Sequence, residues 1–115
     1  MPLLKLDTSV ALSDEMKRDL LPKLSKLVAE TVGKPEDYVM VTLGSAAILM
    51  SGKSGDAAFV DIRSIGGLSH NVNRQLSQKV CALLKDSLGL SPDRVFLNFT
   101  DVDATNWGWK SSTLG

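Results

Sequence analysis

Pro2 is the residue of this chain whose type and place carry the most chemistry. Inside a chain a proline nitrogen is an amide with no basic lone pair, whereas at a free N-terminus it is a secondary amine. Methionine aminopeptidases generally accept Met followed by Pro, so loss of Met1 would leave Pro2 as an amine at the start of a strand. A free α-amine titrates near about 7.7–8.0, and burial or a nearby cation disfavours its charged form. Such a group can act as a base at neutral pH. The plain alternative is a proline that merely opens an edge strand.

Other candidates are weaker. Gly52-Lys53-Ser54 has the look of a phosphate-binding loop, but Ala47 stands where that motif needs its first glycine, and a strand rather than a helix should follow. A plain turn explains it. His70 is the only histidine and reads as a polar residue at a helix start, since it has no recognisable partners for a metal site or a Ser-His-Asp arrangement. Cys81 is the only cysteine, which excludes an internal disulfide and a thiolate metal cluster and fits a reducing compartment. Ser64-Ile65-Gly66-Gly67 precedes a helix, where free N–H groups could meet a carboxylate or simply make a turn.

The elements that must position these groups fit one domain over residues 1–115. Thirteen basic residues balance thirteen acidic ones, so there is no basic stripe for phosphates and neither nucleic acid nor an anionic membrane is an expected partner. The start MPLLKLD lacks the apolar run of a signal peptide, and no stretch approaches the roughly 20 apolar residues of a membrane span. The expected location is the cytoplasm.

Helical periodicity appears at Met16, Leu20, Leu24, Leu27, Val28 and Val32, and again at Val72, Leu76, Val80, Leu83, Leu84 and Leu88. Ser13 and Ser69 are candidate N-caps, and Gly33 and Gly89 candidate C-terminal stops. Pro22 predicts a kink or an irregular turn in the first helix, at a cost on the order of 3 kcal/mol. Strands are expected over Leu3–Asp7, Tyr38–Leu43, Ala57–Arg63 and Arg94–Phe99. Residues 44–56, with the turn Gly52-Lys53-Ser54-Gly55, read as a hairpin loop.

The order strand, helix, strand occurs twice. Gly33, Pro35, Glu36 and Val39 echo Gly89, Pro92, Asp93 and Phe96, which suggests a repeated βαβ unit. The fold expected is α/β: a four-stranded mixed sheet with both helices on one face. One sheet face is apolar; the other mixes Leu3, Lys5, Tyr38, Met40, Thr42, Phe59, Asp61, Arg94, Phe96 and Asn98. A sheet of this kind is seldom left open, so a second copy of the chain is expected to cover it. Trp107 and Trp109 lie in a polar tail that should dock on a neighbouring subunit.

Met1-Pro2, Thr8, Gly33-Lys34-Pro35, Tyr38, Ser64-Ile65-Gly66, Asn73-Arg74, Ser91-Pro92-Asp93-Arg94-Val95, Asn98, Asn106, Gly108-Trp109 and Ser112-Thr113 together resemble the macrophage migration inhibitory factor family, along the whole chain. The resemblance implies a trimer whose sheets surround a central channel, with cofactor-free keto-enol tautomerase sites at subunit boundaries and phenylpyruvate-like aromatic keto acids as substrates. It assigns Pro2 as the base, Lys34 as the partner of the substrate carboxylate, and the Ile65 backbone as a donor to substrate. Asn98 would come from the adjacent subunit, and Tyr38 and Trp109 would wall the aromatic ring. The alternative it carries is a cytokine-like protein that binds a receptor and leaves cells without a signal peptide, its tautomerase pocket a relic.

Three departures bear on these roles. Phe96 replaces a tyrosine hydroxyl at the pocket wall, Ala57-Ala58-Phe59-Val60 replaces the C-x-x-C pair, and Trp107 and Leu114 alter the pocket rim. A hydrogen bond to substrate and any dithiol chemistry should therefore be missing, and the pocket should differ in shape.

Overall fold

Serine side chains set where both long helices begin. The Met16 N–H donates to Ser13 Oγ and the Val72 N–H to Ser69 Oγ, each at 3.1 Å, which satisfies amides that the first turn leaves without helical partners. Helix α1 runs Asp14–Val32 and α2 runs His70–Leu88. Gly33 (φ 77°) and Gly89 (φ 70°) end them in the left-handed conformation. The computed structural model describes residues 1–115 throughout, and α1 continues unbroken through Pro22. Pro22 lies on the exposed side, as does Arg18, whose carbonyl loses its helical donor there and can turn to water. The expected irregularity therefore does not interrupt the helix.

Four strands follow the alternation of apolar residues: β1 Pro2–Thr8, β2 Met40–Ser45, β3 Ala58–Ser64 and β4 Val95–Asp101. They form one mixed sheet in the order β2-β1-β3-β4, with β1 parallel to β2, β3 parallel to β4, and β1 antiparallel to β3. This is the doubled βαβ arrangement expected from the repeat. Two strand starts are corrected. Tyr38 and Arg94 do not open strands; each ends a 3-10 turn, over Glu36–Tyr38 and Pro92–Arg94. In these turns the Tyr38 N–H donates to the Pro35 carbonyl (3.1 Å) and the Arg94 N–H to the Ser91 carbonyl (2.9 Å), so the ladder can begin only afterwards.

Residues 46–57 are also not a hairpin between neighbouring strands, because β1 lies between β2 and β3 and the segment must cross its end. Its tight turn is at Ser51–Gly52, two residues earlier than expected, between the mutually bonded Met50 and Lys53. The Arg94 guanidinium anchors the crossing by donating to the carbonyls of Asp56 (3.0 Å), Met50 (3.1 Å) and Lys53 (3.2 Å). Buried Thr8 completes the attachment: its hydroxyl donates to the Ala57 carbonyl at 2.8 Å and accepts from the Val10 N–H.

Both helices pack on the same sheet face. Leu20, Leu24 and Val28 from α1 and Leu76, Val80 and Leu84 from α2 meet Leu4, Leu6, Val60 and Ile62 in one closed core. The other face is open in the single chain, and it leaves Met40 61%, Phe96 62% and Phe59 41% exposed. Across it the register aligns Thr42, Lys5, Asp61 and Asn98 in a polar row. Asp61 pairs with Arg63 at 3.0 Å. No helix is long and apolar enough to cross a membrane.

Candidate active site

The start of β1 lies at one end of the sheet, where several loops converge. Pro2 is buried there and stands opposite buried Ser64 in the antiparallel ladder. It lines a cavity of about 330 Å³ together with Met1, Leu3, Tyr38, Met40, Trp107 and Trp109, and with Asp37, Val39 and Gly108. The volume is at the lower end of the range that holds small ligands, and most of the lining is apolar.

The aromatic walls come from separate parts of the chain. Tyr38 ends the 3-10 turn after α1, while Trp109 belongs to a C-terminal hairpin in which β5 (Gly108–Trp109) pairs with β6 (Ser112–Thr113). Their rings meet edge to face, with centroids 5.9 Å apart and planes at 86°. The tail expected to dock on a neighbouring subunit thus closes first on Tyr38 of its own chain. The Lys110 ammonium sits 4.4 Å from the centroid of the Trp109 ring, a cation–π contact within the hairpin turn.

Lys34 follows the Gly33 stop of α1, and its side chain lies along the Gly66–Gly67 turn that links β3 to α2. That turn leaves no room for a side chain at Gly67. A Cβ there would stand 2.6 Å from Val32 Cγ1 and 3.3 Å from Lys34 Cε, and the residue has φ 80°. The Ser64 hydroxyl donates to the Gly66 carbonyl at 2.7 Å, and the Gly66 N–H donates to Asp101 Oδ1 at 3.1 Å. The Ile65 N–H beside them donates to no acceptor within the chain.

With Met1 in place, Pro2 N is an amide and the free amine belongs to Met1. Burial, and then the positive charge of Lys34, push that amine below its ordinary value of 8.0. The pocket end of the sheet therefore favours a neutral amine.

Three of the six residues singled out from sequence, Pro2, Tyr38 and Trp109, share the cavity. Lys34 and Ile65 lie at the adjoining turn. Asn98 does not join them: it is exposed on β4, opposite Asp61, and donates to Thr100 Oγ1 at 3.2 Å. Of the departures, Trp107 is in the cavity wall, whereas Phe96 and Leu114 are outside the wall of a single chain. Sequence reasoning missed Asp37, Met40 and Leu3. Met40 and Leu3 were legible only as alternating strand residues, and Asp37 only as the neighbour of Tyr38.

Comparison with known proteins shows the family and the fold. The chain is 36% identical over 115 residues to macrophage migration inhibitory factor of Meriones unguiculatus, covering 99% of each. It is also 36% identical over 115 residues to the homologue from Trichuris trichiura, covering 99% of this chain and all of that one. Among solved structures, the homologue from Prochlorococcus marinus superposes with a TM-score of 0.93 at 36% identity, covering 98% of this chain and 99% of the other. The macrophage migration inhibitory factor-like protein of Entamoeba histolytica gives 0.93 at 31% identity, covering 97% of each. The family profile described as macrophage migration inhibitory factor spans residues 1–115, and this chain belongs to that family.

Proposed function

We propose that the protein is a keto-enol tautomerase acting on phenylpyruvate-like aromatic 2-keto acids, with the Pro2 amine as its base once Met1 is removed. The observation that carries this reading is the placement of Pro2: buried, in the wall of an apolar cavity, and at a chain end where burial and Lys34 already disfavour a charged amine. In the keto-to-enol direction the neutral Pro2 nitrogen takes a proton from the carbon next to the keto carbonyl. The electron pair left behind forms the carbon–carbon double bond, the carbonyl π pair moves to oxygen, and that oxygen takes the proton from the Pro2 ammonium to give the enol and restore the neutral amine. The reverse direction returns a proton from Pro2 to carbon.

Lys34 holds the substrate carboxylate by charge, and the unpartnered Ile65 N–H donates to the bound acid. Tyr38 and Trp109 flank the ring. The assembly proposed is a homotrimer, supported by the apolar residues left exposed on the open sheet face. Asn98, which lies outside the cavity of its own chain, then reaches the site of a neighbouring copy. No cofactor enters any of these steps.

Phenylpyruvate tautomerisation by the Met1-free protein tests the proposal. Pro2→Gly is expected to lower kcat by about a hundredfold or more, the scale of positioned acid–base catalysis. Lys34→Ala is expected chiefly to raise KM. Undiminished turnover by Pro2→Gly removes the base assignment.

A further inference from the structure

Asp37 is the one acidic residue in the wall of the Pro2 cavity, and its carboxylate makes no ion pair and no hydrogen bond. Every other side chain in that wall is apolar, or aromatic with at most one neutral polar group. Lys34, three residues earlier, runs along Gly66–Gly67, where its charge acts on the terminal amine, and is not among the residues of the wall. The site therefore has two separate charges of opposite sign: a cation at the turn beside the amine, and an anion in the wall itself. Asp37 is exposed, so its unpaired carboxylate stands at the solvent side of the wall, where it stabilises a cation or a hydrogen-bond donor on a bound ligand and opposes a second anion.

We propose that Asp37 makes the cavity favour acids that also carry a cationic or hydrogen-bond-donating group over acids that carry a second anionic one. Aromatic acids bearing a para aminomethyl group bind better than those bearing a para carboxylate. This deepens the tautomerase reading, since it names the ring substituents that the same cavity admits.

Trp107 and Trp109 line the cavity, so quenching of their fluorescence reports occupancy without any turnover. The probes are phenylacetate, 4-(aminomethyl)phenylacetate and 4-carboxyphenylacetate, titrated into wild type, Asp37→Asn and Asp37→Glu at low ionic strength. Wild type is expected to prefer the aminomethyl over the carboxy probe. In Asp37→Asn that ratio should fall by about fivefold, the size of one partly solvated charge interaction at close range, while Asp37→Glu keeps most of it. An equal ratio in wild type and Asp37→Asn overturns the proposal, as does failure of all three probes to quench. Phenylpyruvate turnover measured on the same Met1-free sample separates the two claims. Charge-selective binding without turnover removes the tautomerase reading alone, and turnover without charge selectivity removes the role of Asp37 alone.

Discussion

After α1 the chain passes through left-handed Gly33 into a 3-10 turn that ends on Tyr38; after α2 it passes through left-handed Gly89 into a 3-10 turn that ends on Arg94. The turns begin three residues after the glycine in both cases, yet the side chains they carry do different work. The residue after the glycine is Lys34 in the first copy, half-buried with its charge felt by the terminal amine, and Leu90 in the second, 1% exposed in the core. The last residue of the turn is Tyr38, in the cavity wall, or Arg94, which holds the crossing over the end of β1 through three carbonyls. One backbone device thus supplies a binding wall at one end of the sheet and a clamp at the other. The division depends on side chains alone.

The comparison predicts that mutations in the second copy act on stability and mutations in the first act on the site. Leu90→Ala should cost about 2–5 kcal/mol in urea unfolding, as other large-to-small core changes do, while the terminal amine keeps its lowered pKa. Arg94→Ala should cost less, about 1–3 kcal/mol, because two of its three carbonyl contacts are exposed and those carbonyls can bond to water instead. Its clearest sign should be faster hydrogen exchange or proteolysis across residues 46–57.

Lys34→Ala should have the smallest effect on stability and should raise the pKa of the terminal amine, as read from the pH dependence of amine labelling. The rise should stop short of 8.0, because burial is the larger cause and remains. The sign for stability follows from the same shift. Between the lowered folded value and 8.0 the unfolded chain holds more proton, so wild type with Met1 in place gains stability as pH rises through that window. Lys34→Ala should flatten this dependence. A mutant of the first copy that only destabilised, or of the second that moved the amine pKa, would break the division.

Much of this fold can be read locally. Ser13, Ser69, Gly33 and Gly89 mark the helix ends through their own cap chemistry, and alternation along β1 and β3 marks the face that the helices cover. Tyr38 misleads because an aromatic residue favours strands, and Arg94 because it directly precedes the branched and aromatic run from Val95, whereas the prolines just before them favour a turn, and the turn prevails. The crossing of residues 46–57 over β1 is a long-range arrangement that no local pattern encodes. The cavity is similar, since it joins the first residues of the chain, a turn after α1 and a C-terminal hairpin. Pro2 stands out by its chemistry, but Asp37 looks like any polar loop residue until the cavity wall is assembled. Asn98 sits across the sheet from the cavity, so its proposed role depends on a neighbouring copy.

The most direct test of the account compares phenylpyruvate tautomerisation by two samples of this chain, one with Met1 removed and one with Met1 retained, each identified by mass spectrometry. The account predicts that only the Met1-free protein is active, with the Met1-retaining form slower by about a hundredfold or more because its Pro2 nitrogen is an amide. Equal rates from the two samples would contradict it, since the proton would then have to be moved by a group other than Pro2.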